Sequence, residues 1–576
     1  MNGLFKIARG RINAWQVLGA VLFMVVQVIA TLYLPNITSD IVNNGVSTGN
    51  TNYIMHAGMK MILVSIISVI AAVGNVLMAA QASQGLGRKL RSDLFKKVLY
   101  FSSDEFDKFD TSSLTTRTTN DVIQIQNVMI MMLRMMIMAP IMLIGASVMA
   151  YQKNAEMTKI FLISIPILIV LIGLVMFFAV PLFKAMQKKT DRLNLIFREG
   201  FTGVRVIRAF RQDAFEQDRF KDANADYTGN AIKVFTIVAL MFPIVTLVMS
   251  GTNVGITWLG AKYIANQSMQ VGNLIAFMTY AMQILMSFMI LSLVFVFVPR
   301  ASASAARIQE VFATESTIDT VAKPAKIKDE PSLGFSDVNF RYTGAENLAL
   351  SNLNFSIDAG QTLAIIGGTG SGKSTLVNMI PRFFDSETGV VSLNGTDVKA
   401  LSTEDINKKV AMVPQKAILF KGTIRSNMTY GKDDATDDEI WHALEVAQAA
   451  DFVKELDGQL DAIVEQGGDN FSGGQKQRLA IARALVKDAS IYVFDDSFSA
   501  LDFKTDLNLR TALKNDEKIS QGVVVIVGQR ISTVADADQI VVLDDGKMVG
   551  LGTHEELKEN NKTYQEIIES QIKEAK

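Results

Sequence analysis

Long apolar stretches fill the first half of the chain, and short alternating patterns replace them in the second half. Each apolar stretch has about 20 residues or more, enough to cross roughly 30 Å of hydrocarbon as a helix. The six predicted spans are residues 14–36, 57–82, 127–150, 158–183, 234–262 and 271–299. We therefore predict an all-α domain of six transmembrane helices over residues 1–311.

Basic residues flank these stretches unevenly. Lys and Arg cluster before the first span and after the second and fourth, whereas residues 37–56 contain neither. Because the cytoplasmic loops of membrane proteins carry the excess of Lys and Arg, both termini are predicted to be cytoplasmic. No small-residue cleavage site follows the first apolar stretch, so we interpret it as a retained span.

Two long polar connections, residues 83–126 and 184–233, interrupt the apolar half. They carry helical patterning, as in LGRKLRSDLFKKVLYF at 86–101. We predict that membrane helices continue into the cytoplasm and fold back, reaching roughly 30 Å at a rise of 1.5 Å per residue. Such arms either contact a cytoplasmic domain and transmit its motion or are solvated hairpins without that role.

Polar side chains inside the spans indicate a specific role, because burying them in hydrocarbon is energetically unfavourable. Arg134, Asn253 and Gln283 lie in the third, fifth and sixth spans. They face a water-filled cavity or form hydrogen bonds between helices. The Met-rich segment 128–142 suits either an adaptable apolar pocket or ordinary packing against helices and lipid.

The sequence pattern of the second half indicates a different architecture. Residues 312–332, with Pro324 and Pro331, indicate a linker, and residues 333–576 alternate short strands and helices as an α/β domain does.

Length and composition limit the possible classes of protein. A chain of 576 residues is too long for a single hydrophobic core, so at least two domains are expected. The net charge of −1 argues against a nucleic-acid partner, and the absence of Cys excludes disulfides, thiolate metal sites and cysteine nucleophiles.

The first candidate functional element of this α/β domain is a phosphate-binding loop. The segment LAIIGGTGSGKST at 363–375 places glycines, Lys373 and Ser374 between an apolar strand and a helix. Backbone N–H groups converge on phosphates there, the lysine neutralises phosphate oxygens and the serine hydroxyl can hold Mg²⁺. The predicted nucleotide-binding residues are Gly367, Gly368, Thr369, Gly370, Ser371, Gly372, Lys373, Ser374 and Thr375.

A second segment, IYVFDD at 491–496, ends in two carboxylates. Its apolar run is typical of a strand inside a parallel sheet. Asp495 is placed to coordinate Mg²⁺, together with Ser374. These elements alone are common to many nucleotide hydrolases.

The segment FSGGQKQRLAIARAL at 471–485 distinguishes among these classes of nucleotide hydrolase, because it resembles the signature loop and helix of ABC transporters. Its loop residues Ser472, Gly473, Gly474 and Gln475 precede a helix, a position suited to binding a γ-phosphate.

Further segments are similar to family elements in the same order. Tyr342 resembles the aromatic residue that stacks on adenine, and Gln415 resembles the residue of a loop that contacts Mg²⁺ and the membrane domain. Residues 499–502, SALD, are similar to the loop that crosses to a partner cassette. Residues 106–122 and 198–210 resemble the two intracellular coupling regions.

The resemblance covers nearly the whole chain and implies an ABC exporter fold. That fold has a six-helix transmembrane domain followed by an α/β nucleotide-binding domain, with ATP and Mg²⁺ as cofactors. In the family two cassettes pair head to tail, and each ATP lies between the phosphate loop of one and the signature loop of the other. The resemblance also implies contact with membrane lipid and with small hydrophobic substrates.

Two positions depart from the family at the chain's own site. Asp496 stands where the general base is Glu, and Gln529, in VIVGQRIST, stands where a switch residue is His. The shorter carboxylate sits roughly 1.5 Å back, and a misplacement of about 1 Å can lower a rate on the order of 10²-fold. Glutamine donates a hydrogen bond but carries no charge. Gln466 and Gly467 also replace the Glu-Arg pair that often precedes the signature.

In the family, the positions of Asp496 and Gln529 act at the ATP site of their own chain. The signature loop, which is intact here, acts at the ATP site of the partner chain. We therefore predict the degenerate-site subunit of a heterodimeric, multidrug-type ABC exporter in a bacterial cytoplasmic membrane. Its partner would carry the Glu and the His, and hydrolysis would occur mainly at the site that this partner completes. The alternatives are a homodimeric lipid or peptide exporter with slow turnover, and an ATP-gated sensor that moves no substrate.

Overall fold

A computed structural model describes residues 2–318, 321 and 323–574 of the chain. It divides into two compact units. Unit 1 comprises Met1–Leu99 and Ser112–Ala313, and unit 2 comprises Tyr100–Thr111 and Thr314–Lys576. Residues 319, 320 and 322 of the predicted linker lie outside the described residues.

Unit 1 is helical. Six of its helical stretches are long and apolar enough to cross a membrane: Ala14–Val46, Thr51–Leu99, Thr111–Lys153, Ala155–Thr202, Asp213–Ala265 and Val271–Leu291. This confirms the predicted set of six apolar helices. The α-helices from the N-terminus to the end of unit 1 are α1 (Asn2–Ala8), α2 (Ala14–Asp40), α3 (Thr51–Leu99), α4 (Ser103–Phe109), α5 (Thr111–Thr116), α6 (Val122–Met131), α7 (Ile137–Lys153), α8 (Ala155–Thr158), α9 (Phe161–Thr202), α10 (Val204–Ala209), α11 (Asp213–Ala265) and α12 (Val271–Ala313).

Three helices run far beyond their apolar stretches. Helices α3, α9 and α11 have 49, 42 and 53 residues. At a rise of 1.5 Å per residue, each is roughly 60 to 80 Å long, at least twice the hydrocarbon thickness. The polar connections that follow the second and fourth apolar stretches therefore begin as continuations of these helices.

The polar residues noted inside the spans lie in different settings. Arg134 lies in a π-helical segment, Met132–Met136, and its side chain is exposed. Asn253 donates from Nδ2 to the sulfur of Met282 on a neighbouring helix, at 3.7 Å, as a contact between helices. The Oε1 atom of Gln283 is buried without a hydrogen-bond partner among the described residues. Buried methionines such as Met142 pack in the core of unit 1, which favours the packing interpretation for that part of the Met-rich segment.

Unit 2 is built on a β-sheet. The strands are β1 (Ser332–Phe340), β2 (Leu350–Asp358), β3 (Thr362–Gly367), β4 (Thr388–Leu393), β5 (Thr396–Asp397), β6 (Val410–Val413), β7 (Gly422–Thr423), β8 (Ile463–Val464), β9 (Ile491–Asp495), β10 (Val523–Val527), β11 (Gln539–Asp544) and β12 (Lys547–Gly552). Ten of them form one sheet with the order β5-β4-β1-β2-β12-β11-β3-β10-β9-β6, and β7 and β8 pair separately. The helices are α13 (Lys373–Met379), α14 (Thr403–Lys409), α15 (Ile424–Met428), α16 (Asp437–Val446), α17 (Ala450–Lys454), α18 (Gly473–Leu485), α19 (Phe503–Asn515), α20 (Ile531–Val534), α21 (His554–Asn560) and α22 (Lys562–Glu574).

The parallel part of this sheet positions the candidate site. Strand β10 pairs in parallel with β3 and with β9, and all residues of β9 and β10 are buried because both faces of the sheet are covered. The carboxyl ends of β3 and β9, at Gly367 and Asp495, therefore meet at one edge of the sheet. In open α/β sheets this edge is where ligands bind.

Unit 2 also contains the short helix α4, which belongs to the first polar connection. Ser102 caps it, and Glu105 accepts hydrogen bonds from the backbone N–H of Ser102 at 2.7 Å and of Thr317 at 3.1 Å. The carboxylate of Asp104 accepts another hydrogen bond, from the hydroxyl of Thr343 at 2.7 Å. These contacts favour the interpretation that this arm engages the α/β domain.

Glu105 is the anchor of this contact. Burial alone would raise the pKa of its carboxyl group, but the hydrogen bonds from Ser102 and Thr317 lower it below the ordinary value for Glu. Because the folded-state pKa is lowered, the stabilisation is present at neutral pH and is lost as the pH falls through that value.

We expect Glu105→Gln to speed amide exchange in residues 102–109 about tenfold, because hydrogen bonds to a charged acceptor are stronger than neutral ones. The measurement is hydrogen exchange followed by mass spectrometry between pH 4 and 8. The control is Asp107→Asn, because Asp107 is an exposed carboxylate on the same helix and takes no part in this contact. Equal protection of Glu105→Gln and the parent at neutral pH would contradict the anchoring role.

Candidate active site at the carboxyl edge of the sheet

A cavity of about 480 Å³ opens at the carboxyl edge of the parallel strands. It joins the segment around Gly367–Thr375 to the ends of β9 and β10. Most of the predicted nucleotide and metal residues line it: Tyr342, Thr369, Gly370, Gly372, Lys373, Ser374, Thr375, Gln415, Asp495, Asp496 and Gln529.

The loop before α13 has the shape of an anion cradle. Gly370 and Gly372 adopt φ values of 84° and 97°, in the region that favours glycine. Lys373 folds over the loop and donates from Nζ to the carbonyl oxygens of Gly367 and Gly368, at 3.0 and 2.7 Å. Burial lowers the pKa of Lys373, and the nearby carboxylates of Asp496 and Asp495 oppose that shift. The ammonium group is thus held within reach of the position a phosphate would occupy.

The donor set beside this loop fits Mg²⁺. The Ser374 hydroxyl donates to Oδ1 of Asp495 at 3.1 Å, which places two oxygen ligands side by side. Burial raises the pKa of Asp495, and the hydrogen bond from Ser374 opposes that rise. Mg²⁺ is typically held by one or two carboxylates plus substrate phosphates, so these residues would hold it together with a bound nucleotide.

The carboxylate of Asp496 is engaged by two amides. Gln529 donates from Nε2 to Oδ2 of Asp496 at 2.8 Å, and Gln415 donates to the same oxygen at 3.1 Å. Both donors are neutral, and they occupy the lone pairs of Oδ2, so Oδ1 is the oxygen left to accept a proton from water. Asp496 also has a φ of 48°, an uncommon backbone conformation for a non-glycine residue.

Tyr342 lies at the rim of the cavity. Its hydroxyl is 2.8 Å from Oγ1 of Thr375, and its ring packs edge-on against Phe340 and Phe384. The side chain remains 37% exposed, so part of the ring is free to stack on a base.

The predicted signature residues lie elsewhere. Ser472 caps α18, and its capping box with Gln475 satisfies the first free N–H groups of that helix. None of Ser472–Gln475 lines the cavity that contains Lys373. They lie instead beside the 499–502 loop, where a Cβ on Gly474 would be 3.5 Å from the carbonyl oxygen of Ala500.

Similarity to known proteins decides the family. Residues 17–288 match the ABC transporter transmembrane region, and residues 350–499 match the ABC transporter ATP-binding family. An uncharacterized ABC transporter ATP-binding protein of Mycobacterium tuberculosis is 40% identical over 575 residues, which covers 99% of this chain and 98% of the relative. The chain belongs to the ABC transporter family.

Other ABC transporters extend this picture. An uncharacterized ABC transporter ATP-binding protein of Bacillus subtilis is 35% identical over 96% of each chain. An ATP-dependent lipid A-core flippase of Desulfotalea psychrophila is 31% identical over 85% of each chain. The fold is shared with a bacterial Atm1-family ABC exporter with ATP bound, at a TM-score of 0.80 and 24% identity over 96% of this chain and 98% of that one.

Family membership and the six apolar helices make this ABC transporter a multi-pass membrane protein. Its ATP-binding domain implies that the protein binds ATP, typically with Mg²⁺, and is an ATP-hydrolysing transporter. The residues that would hold the nucleotide are those gathered around Lys373, Ser374 and Asp495.

Gln571 is a residue of this transporter that the sequence motifs do not reveal. Its Nε2 donates to the backbone carbonyl of Gln529 at 2.7 Å, and its Oε1 accepts from the N–H of Ile531 at 2.9 Å. The side chain therefore clamps the backbone on both sides of Arg530. A lone glutamine in a C-terminal helix carries no local signal for this position.

We expect Gln571→Ala to loosen the segment around Gln529, because two hydrogen bonds worth roughly 1 kcal/mol each are lost. Amide exchange at residues 529–531 should therefore rise about 30-fold. Gln565→Ala is the matched control, since Gln565 lies on the same helix and donates instead to the carbonyls of Lys558 and Glu559. Unchanged exchange in Gln571→Ala, or the same change in both variants, would contradict the clamp.

Proposed function

We propose that this chain is the degenerate-site subunit of a heterodimeric ABC exporter. It would use ATP to export hydrophobic or amphipathic compounds of the multidrug type across a bacterial cytoplasmic membrane, with both termini in the cytoplasm. ATP binding would close the paired cassettes, and hydrolysis at the competent site would reset them. The partner subunit would carry the Glu and His that this chain lacks.

One observation carries this proposal: the two altered residues bind each other while the signature loop is intact. Gln529 and Gln415 both donate to Oδ2 of Asp496, so the carboxylate at the base position is already engaged. Ser472 and its neighbours keep the family pattern and lie away from the chain's own cavity. A homodimer would contain two sites with a shortened base, whereas a heterodimer would contain one complete site.

The deciding experiment compares the chain alone with the chain and its partner subunit in proteoliposomes. We expect low ATPase activity for the lone chain, and ATP-dependent movement of an amphipathic dye only for the pair. High ATPase activity of the lone chain would overturn the heterodimer. A pair that hydrolyses ATP without moving dye would instead favour a sensor.

Lipid translocation is a second candidate, because two relatives at 31% identity are named lipid A-core flippases. The substrate would then be an amphipathic lipid rather than a small compound. ATP-dependent loss of a fluorescent phospholipid from one leaflet, measured by dithionite quenching, distinguishes the two. Flipping without dye export favours the lipid candidate.

A further inference from the structure

A second cavity, of about 450 Å³, lies in unit 1 between the start of α2 and the middle of α3. Its walls are basic and amide side chains, and among the described residues that line it there is no carboxylate. The polar lining residues that matter here are Arg11, Gln16, Gln81, Gln84, Arg88 and Lys89.

The exposed face of α3 changes from apolar to polar and basic side chains at this cavity. In steps of three or four residues, which keep to one side of a helix, that face carries Ile66, Ile70, Val73, Leu77, Gln81, Gln84 and Arg88. The first four are apolar and more than half exposed, as expected for side chains that face lipid tails. On α2, Trp15 is 79% exposed at the same end, and tryptophan is enriched where hydrocarbon meets headgroups.

One wall of the cavity is rigidly held. Arg11 donates from Nε to Asp93 at 2.6 Å and from Nη1 to the carbonyl of Ile7 at 2.9 Å. Its guanidinium also lies 4.5 Å from the ring centroid of Phe312. These contacts hold the segment before α2 against α3 on this side of the cavity.

The other wall carries two uncompensated charges. Within the described part of the chain, the side chains of Arg88 and Lys89 form no hydrogen bond or ion pair, and both are exposed. A guanidinium and an ammonium group next to amide donors match the oxygens of a phosphodiester. Basic pockets between membrane helices on the cytoplasmic side take anionic lipid headgroups.

We propose that this cavity binds the headgroup of an anionic glycerophospholipid, with the acyl chains lying along the apolar face that ends at Leu77. The apolar face favours a lipid over a free phosphate, because a soluble anion would use only the polar half of the site. The proposal is independent of what the transporter exports.

Trp15 provides a local probe of the site. The chain has three tryptophans, so Trp258→Phe with Trp441→Phe leaves Trp15 as the sole tryptophan of the full chain. We expect bromine-labelled phosphatidylglycerol in mixed vesicles to quench Trp15 at a lower mole fraction than bromine-labelled phosphatidylcholine does. Each basic residue near an anionic surface contributes about fivefold to binding, so Arg88→Gln with Lys89→Gln should weaken this preference about 10- to 30-fold.

The control removes the same charge elsewhere. Lys6→Gln with Arg9→Gln neutralises two exposed cations near the same membrane surface but outside the cavity, and it should leave the preference within about twofold. Equal quenching by the two lipids, or equal losses in both double variants, would overturn the proposal. Relief of the phosphatidylglycerol quenching by millimolar inorganic phosphate, with phosphatidylcholine unaffected, would overturn the lipid assignment in favour of a soluble anion.

Discussion

Gly474→Asp in this chain is expected to lower the ATPase activity of the proposed heterodimer on the order of 10²-fold. The signature residue sits in the first turn of α18, where it would face the γ-phosphate bound by the partner's phosphate loop. A new carboxylate about 5 Å from that phosphate costs roughly 3 kcal/mol at an effective dielectric constant near 20, which corresponds to about 10²-fold. The measurement is steady-state ATPase activity of the purified pair.

The structure supplies two controls for this variant. A Cβ at Gly474 would meet only the carbonyl oxygen of Ala500, at an ordinary 3.5 Å, so Gly474→Ala tests the steric change without the charge. An Asp in the first turn also favours a helix, so loss of activity would not reflect unfolding. Lys373→Ala disables the chain's own phosphate loop and should reduce activity less, because the proposed function assigns slow turnover to that site. Full activity of Gly474→Asp would refute the trans role of Ser472–Gln475.

Asp496→Glu combined with Gln529→His is expected to raise turnover at this chain's own site on the order of 10²-fold. The longer side chain would advance the carboxylate by roughly one bond length, the misplacement that costs about 10² in rate. The same pair of changes removes the amide that Gln529 donates to Oδ2. The measurement is single-turnover hydrolysis in a pair whose partner has its base Glu changed to Gln.

The single changes separate the two contributions. With Asp496→Glu alone, Gln529 and Gln415 still compete for the carboxylate, so the gain should be smaller than in the double variant. Asp496→Asn is the negative control, since it cannot act as a base. If the double variant hydrolyses no faster than the parent, the altered residues are not what slows this site.

Local motifs account for what was predictable. The loop around Lys373 could be recognised because glycine φ values and a helix N-terminus are properties of neighbouring residues. The six apolar helices followed from hydrocarbon thickness, which sets a minimum length for each. Asp496 and Gln529 were recognisable as departures for the same reason, since each lies inside a motif.

Contacts between distant residues were not predictable. Gln415 and Gln529 reach the same oxygen of Asp496 from 81 and 33 positions away, and Gln571 holds Gln529 from 42 positions away. The basic cavity likewise joins Arg11 to Arg88, which are separated along the chain by a complete membrane crossing and return.

By itself, therefore, the sequence determined that this protein has six apolar membrane helices, a phosphate loop, a paired-carboxylate strand and a signature loop. The first three depend on backbone propensity, burial length and short-range geometry, whereas the signature loop was identified by its resemblance to ABC transporters. Only the tertiary structure decided that two amides converge on Asp496, that Gln571 clamps the neighbouring segment, and that uncompensated cations meet an apolar face on α3. Strand order and helix packing bring these side chains together, and neither is encoded in any single motif.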